Sequence, residues 1–214
     1  MMILNFFKKD ACKRIFDFFL ALILTIVLSP IYIIIFTILL IEQLLTKDFG
    51  SLYIKEIRVS HGKKFCLYKL NMYKESARKE FIKNSDMYAK YGSWSFLQKD
   101  ETSLRAFGKI MKKFYLDELG QMFNILRGDM TFVGPRPLPV GYALNDEEPR
   151  LNLKAGLVGF ATNKSKNEGD TIVKQSTDEE YLETYNRIKG CDILKTDALV
   201  VYDGFRAVIK AKGH

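Results

Sequence analysis

Two adjacent carboxylates, Asp117 and Glu118, lie within a segment of helical periodicity. Apolar residues recur there at three- and four-residue steps from Phe107 to Leu126, which predicts an amphipathic helix. On this helix Glu118 falls within the apolar stripe, whereas Asp117 lies well away from its centre. Because burying an unpaired carboxylate is costly, we expect Glu118 to meet a cation, a metal ion or a substrate group. For Asp117 the simpler interpretation is a surface ion pair with Lys113, four residues earlier.

An arginine between two prolines follows the carboxylates. Pro135 and Pro137 restrict the backbone and fix the direction of the Arg136 guanidinium, an arrangement suited to bidentate contact with a phosphate. The same triplet would also serve as a rigid surface turn without a function. Further along the chain, Gly156 and Gly159 flank apolar residues. This pattern indicates either a close backbone approach to a ligand or an ordinary turn before a strand.

The elements that must position these residues are predicted from periodicity and turn signals. Apolar residues on both sides of Ser60-His61-Gly62 predict two short strands joined by a turn. The stretch from Tyr73 to Lys99 predicts a helix followed by a loop at Gly92, and Gly128 is expected to end the helix that carries the carboxylates. The stretch from Asp178 to Lys210 predicts one or two helices. Four residues share one face of these helices: Tyr181, Leu182, Tyr185 and Ile188.

Length and charge limit the classes of function. A chain of 214 residues, 48% of them hydrophobic, has room for one catalytic domain and an anchor. The formal net charge of +8 indicates an anionic partner, which could be nucleic acid, a phospholipid surface or a phosphorylated substrate. The basic residues are dispersed and form no known nucleic-acid-binding module, so we expect no nucleic-acid partner.

The cysteines give no sign of a metal site. Cys12, Cys66 and Cys191 are odd in number and far apart in the sequence, and they match no zinc-ligand spacing. Only His61 and His214 could add imidazole ligands. The cysteine pattern therefore predicts a reducing compartment and no zinc site.

A membrane segment is indicated near the start of the chain. From Phe18 to Ile41 there are 24 residues without a charge, and this length at helical rise exceeds the ~30 Å hydrocarbon core of a bilayer. The apolar run is longer than that of a cleavable signal peptide, and no small-residue cleavage site follows it. We therefore expect the segment to stay attached as an anchor.

The centre of this segment favours re-entry over a straight span. Ser29-Pro30 predicts a sharp bend, which would leave each half too short to cross the membrane. Basic residues flank the segment on both sides, a pattern that fits the positive-inside rule only if both ends lie in the cytoplasm. A kinked span stays the alternative, because transmembrane helices tolerate proline. The predicted division is residues 1–48 as re-entrant anchor and residues 49–214 as cytoplasmic catalytic domain.

The string YLDELGQMFNILRGDMTFVGPRPL, from Tyr115 to Leu138, resembles the signature of the bacterial sugar transferases, the monotopic polyprenyl-phosphate phosphoglycosyl transferases. The Asp-Glu, Gly-Asp-Met and Gly-Pro-Arg-Pro elements at this spacing are specific in combination. Phe107-Gly108-Lys109, Ser29-Pro30 and the Ala-Gly-x-x-Gly segment extend the resemblance over most of the chain. The resemblance implies a helix-rich α+β protein with a re-entrant membrane helix, a small β-hairpin and amphipathic helices at the membrane surface.

The resemblance also implies a mechanism. Asp117 would attack the β-phosphorus of a UDP-sugar and release UMP. It would then hold the phospho-sugar until polyprenyl phosphate accepts it. The family-level expectation is that the sugar is N-acetylated. Glu118, with Asp117, would support Mg²⁺ or the acceptor phosphate. The remaining residues implied by the resemblance are phosphate-binding Arg58, Lys69, Lys112 and Arg136, and, for the nucleotide sugar, Gly156 and Gly159.

Several positions depart from the family pattern. Gly120 stands in place of a proline, Val59-Ser60 in place of Pro-Gly, and Asn71 in place of a basic residue. Ala155-Gly156 and the segment Lys164-Ser165-Lys166-Asn167 replace a Pro-Gly and an Asn-Gly-Arg-Asn element. These departures leave open an alternative, a catalytically inactive membrane scaffold that recruits glycosyltransferases.

The expected setting is the cytoplasmic face of a bacterial inner membrane. There the chain would meet a UDP-sugar, polyprenyl phosphate and phospholipid. Downstream glycosyltransferases and a second copy of the chain are further candidate partners. The product would start a lipid-linked glycan.

Overall fold

A computed structural model of the chain describes residues 2–142, 149–159 and 171–211. Within these ranges the fold is α+β, with eight α-helices, five strands and short 3-10 turns. The helices are α1 (Met2–Val27), α2 (Ser29–Thr46), α3 (Glu75–Asn84), α4 (Met87–Tyr91), α5 (Ala106–Phe114), α6 (Met122–Arg127), α7 (Thr171–Arg187) and α8 (Ile193–Ala211). The strands are β1 (Tyr53–Ser60), β2 (Lys63–Leu70), β3 (Thr131–Val133), β4 (Leu138–Pro139) and β5 (Gly156–Val158).

The N-terminal apolar segment is broken where its sequence predicts. Helix α1 ends at Val27, and α2 begins at Ser29 with Pro30 in its first turn. Helix α2 has 18 residues, or about 27 Å at helical rise. Among the described residues it is the one helix long and apolar enough to cross a membrane. The expectation that each half would be too short to span is therefore wrong for α2, because the helix continues to Thr46.

The predicted hairpin is confirmed. Strands β1 and β2 pair antiparallel over their full length, and β4 adds to the other edge of β1. The turn between them places His61 at φ 49° and Gly62 at φ 68°. Two successive left-handed residues give the twist that a two-residue hairpin loop requires.

A second, parallel sheet joins β3 to β5. The backbone of Gly134, just after β3, lies in very close contact with that of Gly156 at the start of β5. A Cβ placed on Gly156 would lie 2.1 Å from the backbone nitrogen of Gly134. Only glycine fits at this crossing, so the glycine pattern here arises from packing between two backbones.

The helix predicted from Phe107 to Leu126 is not continuous. Helix α5 ends at Phe114, Tyr115 takes the left-handed conformation at φ 57°, and a 3-10 turn covers Leu116–Gln121 before α6 begins. Apolar spacing gave no warning of this break, because the segments on both sides keep three- and four-residue steps. The break resets the rotation of every side chain that follows it.

The C-terminal prediction of one or two helices is confirmed by α7 and α8. Tyr181 and Tyr185 of α7 are buried in a core cluster with Ile125, Met130 and Phe132. A second cluster contains Tyr32 and Leu39 of α2 together with Trp94 and Met111. Ala21 of α1 belongs to the first cluster, so both N-terminal helices contribute to the core.

Two of the three cysteines form a disulfide, which the sequence analysis did not predict. Cys12 in α1 is bonded to Cys191, and their Cα atoms are 5.5 Å apart across 179 positions of sequence. The sequence analysis predicted a reducing compartment and named no disulfide partner for either cysteine. Separation along the chain was misleading, because α1 packs against the turn between α7 and α8.

Candidate active site

Asp117 is the buried carboxylate of the site. Its side chain is 6% exposed, and its Oδ2 lies 3.7 Å from the Nζ of Lys69, which is itself 11% exposed. Asp117 stands in the 3-10 turn before α6, and Lys69 stands near the end of β2. The turn packs closely on β2, so the ion pair joins two parts of the chain that are distant in sequence.

Helix α2 and strand β2 together fix the position of this turn and of the start of α6. The Tyr32 hydroxyl in α2 donates to the Leu119 carbonyl at 2.8 Å. A Cβ on Gly120 would lie 2.8 Å from the Tyr68 carbonyl oxygen, so glycine allows the turn to approach the strand. The Asn124 side chain accepts from the Tyr68 amide at 2.9 Å and donates to the Cys66 carbonyl at 2.6 Å, which fixes the start of α6 beside the strand.

The surroundings of Asp117 favour its neutral form. Burial raises the pKa of the Asp117 carboxyl to about 6. The positive charge of Lys69 opposes this rise, while the negative charges of Glu118 and Glu56 add to it. At neutral pH Asp117 is therefore still mostly ionised, and nucleophilic attack is among the reactions open to a desolvated carboxylate.

Glu56 is a site residue that the sequence analysis missed. It is buried, and it accepts hydrogen bonds from the Arg58 guanidinium and from the Trp94 amide. Burial raises the pKa of this carboxyl, but the charges of Lys69 and Arg58 and the hydrogen bonds outweigh burial and hold it below its ordinary value. The available signal was strand alternation, since Glu56 lies two residues after the buried Ile54 and thus on the same face.

Glu118 lies at the edge of the site. Its carboxylate is 3.2 Å from the guanidinium of Arg136, which confirms the expectation that Glu118 meets a cation. The Arg136 side chain is 75% exposed and the Glu118 side chain 21% exposed. An ion pair this open to water contributes little to stability, so Arg136 is free to turn toward a phosphate.

The helical wheel predicted that Glu118 is buried and that Asp117 lies at the surface, and both predictions are wrong. The structure buries Asp117 and leaves Glu118 at the surface edge. The ionic partner of Asp117 is Lys69, not Lys113. Both errors have one cause: the left-handed Tyr115 and the 3-10 turn change the rotation per residue on which the wheel depends.

The other predicted residues occupy different surroundings. Arg58 donates to Glu56 and to the Ser93 hydroxyl at 3.0 Å, so it borders the Lys69 side of the site. Lys112 donates to the Gln98 carbonyl at 3.1 Å. Gly156 belongs to β5 and meets Gly134, and Gly159 is buried just beyond the strand.

Two departures from the family pattern make defined contacts. The Ser60 hydroxyl donates to the Asp129 carbonyl at 2.7 Å and accepts from the Ala155 amide at 3.0 Å. Asn71 donates to the Ser51 carbonyl and accepts from the Tyr73 amide. Both side chains therefore stabilise local backbone. The segment 164–167 lies outside the described residues.

The carboxylate set is compatible with magnesium. Mg²⁺ in phosphoryl-transfer sites is held by one or two carboxylates, by substrate phosphates and by water. The negative charge of Glu118 raises the pKa of Asp117, and a divalent cation between them would relieve that repulsion. In the described parts of the chain no group of three or more His, Cys, Asp or Glu side chains could hold a metal ion by itself. Asp117 and Glu118 thus fit a cation that the substrate helps to bind.

Comparison with known sequences decides the family. A family model described as "Bacterial sugar transferase" matches residues 8–204, nearly the whole chain. The chain belongs to the bacterial sugar transferase family. The resemblance carried by the Tyr115–Leu138 string is confirmed, and every residue of the site described above lies within the matched range.

Proteins of several bacteria resemble the chain over most of its length. It is 29% identical over 94% of its length to the exopolysaccharide production protein ExoY of Sinorhizobium fredii, and covers 87% of that protein. It is 30% identical over 85% of its length to the uncharacterized sugar transferase EpsL of Bacillus subtilis, and covers 83% of it. It is 30% identical over 88% of its length to the undecaprenyl-phosphate galactose phosphotransferase of Salmonella typhimurium, but spans only 40% of that longer protein.

Proposed function

We propose that this bacterial sugar transferase moves a phospho-sugar from a UDP-sugar to a polyprenyl phosphate through a covalent intermediate on Asp117. The observation that carries the proposal is the position of Asp117. Its carboxylate is buried, its charged form is disfavoured there, and its turn accepts a hydrogen bond from the apolar helix α2. This arrangement would place a nucleophile at the level of a lipid phosphate. The name of the Salmonella relative, an undecaprenyl-phosphate galactose phosphotransferase, agrees with a lipid-linked acceptor.

The reaction proceeds in two displacements. In the first, an Asp117 oxygen bonds to the phosphorus that bears the sugar, the bond from that phosphorus to the bridging oxygen breaks, and UMP leaves with the bond's electrons. In the second, an oxygen of polyprenyl phosphate bonds to the same phosphorus and the Asp117 oxygen departs. The lipid then carries a diphosphate-linked sugar, and the carboxylate is regenerated.

The cations around Asp117 have separate roles. Lys69 keeps the carboxylate ionised before attack and lies beside the phosphoryl oxygens. The Arg136 guanidinium leaves its ion pair with Glu118 and binds a substrate phosphate instead. Arg58 and Lys112 would add positive charge around the donor. Asp117 and Glu118 would hold a magnesium ion, which supplies positive charge that offsets the donor diphosphate and favours departure of UMP.

A re-entrant anchor is supported by contacts at both ends of the helix pair. In α1, Arg14 donates to the Leu126 carbonyl at 2.7 Å. After α2, Asp48 accepts from the Glu75 amide at 2.7 Å. Both ends therefore contact the same folded part of the chain, whereas a straight span would separate them by the width of the bilayer. We place that folded part on the cytoplasmic face of the inner membrane, where downstream glycosyltransferases would receive the product.

The test measures release of UMP. Purified full-length protein is incubated with magnesium, polyprenyl phosphate and a panel of UDP-sugars, both N-acetylated and not. We expect one or a few donors to yield UMP, Asp117→Asn to abolish the release, and mass spectrometry of acid-quenched enzyme to find a phospho-sugar on Asp117. Asp192→Asn, which changes an exposed carboxylate in the turn between α7 and α8, is the matched control and retains activity.

Two results would contradict the proposal. Turnover without an adduct on Asp117 would exclude the covalent route. No UMP from any donor, with a folded protein, would favour the inactive scaffold that recruits glycosyltransferases.

A further inference from the structure

A cleft separate from the Asp117 site lies between α1, the turn of the β1–β2 hairpin, the start of β3 and helix α7. Its volume is about 520 Å³, within the range of small-molecule sites. Neither Asp117, Glu118 nor Lys69 lines it. The cationic side chains that do are Lys13, Arg14, Lys63, Lys64 and Lys154, and the acidic ones are Asp10, Asp17 and Asp129.

The cleft and the Asp117 site lie toward opposite ends of strand β2. Lys64 lines the cleft and Lys69 contacts Asp117, and the five residue steps of extended strand from one to the other span about 16 Å. The cleft is therefore a second site.

The acidic side chains of the cleft are already engaged within the fold. Their partners are Tyr185 for Asp10, Thr131 for Asp17 and Arg127 for Asp129. Two of the cations are engaged as well: Lys13 pairs with Asp197, and Arg14 donates to backbone carbonyls of α6.

Three lysines of the cleft have no ion pair with any described residue: Lys63, Lys64 and Lys154. Lys154 is only partly exposed, and burial together with the charge of Arg14 lowers the pKa of its amino group, although the charges of Asp17, Asp10 and Asp129 oppose this shift. A partly desolvated ammonium beside a second cation is stabilised when an anion binds. Asp10 and Asp17 keep their negative charge, since their partners are neutral hydroxyls. Five cations against three carboxylates still leave the lining with a net positive charge, and Lys63, Lys64 and Lys154 are the cations of the cleft that are outside the described ion pairs and backbone contacts.

An apolar wall faces part of the same space. Phe65 and Leu153 line the cleft, together with Val133 and the rings of Tyr181 and Tyr185. Inorganic phosphate would use only the lysines, whereas an organic phosphate with a flat ring would use both the lysines and the wall.

We propose that this cleft binds a nucleoside phosphate, with its phosphate on Lys63, Lys64 and Lys154 and its base against Phe65 and Leu153. The site is independent of the proposed transferase reaction, because no residue assigned to that reaction lines it. Its occupant would contact the start of β3, the strand that leads to Arg136.

The test is calorimetric titration of detergent-solubilised full-length protein with AMP, UMP and inorganic phosphate. We expect a nucleotide to bind, and Lys63→Ala/Lys64→Ala to weaken it about tenfold or more, because charge-assisted hydrogen bonds to phosphate are lost. Lys154→Met should have a similar effect, and the double alanine variant keeps the test valid if Lys154→Met does not fold. Lys79→Ala/Lys83→Ala, which removes two exposed lysines from α3, is the matched control and binds as wild type does.

Asp117→Asn separates this proposal from the transferase proposal. Binding that persists in Asp117→Asn and weakens in Lys63→Ala/Lys64→Ala supports the cleft, whether or not the enzyme releases UMP. Binding lost in Asp117→Asn but unchanged in the lysine variants would assign the nucleotide to the Asp117 site and overturn the proposal. Absence of nucleotide binding would also overturn it, as would inorganic phosphate binding as tightly as the nucleotides.

Discussion

At the scale of single residues, the site depends on a carboxylate that is ionised in surroundings that disfavour charge. Asp117 is buried beside one cation, Lys69, and two acidic neighbours, Glu56 and Glu118. The raised pKa means that the folded protein binds a proton at Asp117 more tightly than the unfolded chain does. Ionised Asp117 therefore costs folding stability, a common property of catalytic groups.

Asp117→Asn is expected to stabilise the protein at neutral pH. The Asp117 pKa is 3.8 in its ordinary state and about 6 in the folded protein. This difference lowers the free energy of unfolding by about 3 kcal/mol as the pH rises from below 3.8 to above 6. The gain from the amide should be full at pH 7.5 and smaller at pH 5, as measured by denaturant unfolding in detergent. Asp192→Asn, at an exposed position, should show no gain. An equal effect at both pH values, or a loss at pH 7.5, would contradict the account.

Lys69→Met is expected to move the acid limb of the pH–rate profile to higher pH. Lys69 lowers the pKa of Asp117, and its removal leaves burial and the acidic neighbours unopposed. The profile of kcat/KM for UMP release between pH 5 and 8 measures the shift. Lys109→Met, at an exposed position of α5, should leave the limb unchanged. If the limb stays in place in Lys69→Met, Lys69 does not tune the nucleophile.

At the scale of elements, each of the two sheets positions part of the site. Strand β2 carries Lys69 and receives the turn of Asp117, while β3 leads to Arg136. The direction of β3 is fixed by its pairing with β5 and by the crossing of Gly134 with Gly156. Gly156 thus affects the position of Arg136 by holding β3 in place. Among the described contacts it has none with Asp117 or Glu118.

Gly156→Ala is expected to destabilise the fold by several kcal/mol. The added Cβ would lie 2.1 Å from the Gly134 nitrogen, and backbone cannot move aside as a flexible side chain can. Thermal unfolding measures the loss. Gly62→Asn is the control, because its surroundings are open and asparagine tolerates its positive φ. Wild-type stability with only a raised KM for the donor would instead assign Gly156 to nucleotide binding.

At the scale of the whole molecule, the N-terminal helix pair has two different surfaces. Its inner surface contributes Ile35 and Leu39 to the core. Its outer surface leaves large apolar side chains exposed, including Ile26 at 64%, Ile33 at 65% and Leu45 at 79%. A contiguous apolar surface of this kind indicates contact with lipid. The helix pair is thus both a part of the fold and the proposed anchor.

Neighbouring isoleucines of α2 are expected to separate these two roles. Ile34 is 57% exposed and Ile35 is 2% exposed. Ile34→Ser should weaken retention in the membrane fraction after a high-salt wash without lowering thermal stability in detergent. Ile35→Ser should lower that stability by about 3 kcal/mol or more, because it leaves a cavity and a buried hydroxyl. Identical behaviour of the two variants would contradict a lipid-facing outer surface.

Tags at the two ends of the chain are expected to lie on the same side of the membrane. The contacts of Arg14 and Asp48 hold both ends of the helix pair to one folded part. Protease added to intact spheroplasts should therefore cut neither tag, and lysed cells, as the control, should lose both. Cleavage of the N-terminal tag alone in spheroplasts would establish a spanning helix.

Much of the fold follows from local pattern. The Ser60-His61-Gly62 turn signal, the helix break at Pro30 and the end of α6 at Gly128 each depend on the conformation of a few neighbouring residues. Such signals are contained in short stretches of sequence. The family also follows from one contiguous string, which the comparison with known sequences confirms.

The sequence by itself determined the adjacent carboxylates, the arginine between prolines and the apolar segment, because each is a property of residue type and order. The tertiary structure decided which carboxylate is buried, since a single left-handed residue, Tyr115, redirects the chain after α5. It also paired Asp117 with Lys69, placed Glu56 beside them and joined Cys12 to Cys191. These pairings join residues far apart along the chain, and their energies depend on burial that exists only once the distant elements have packed together.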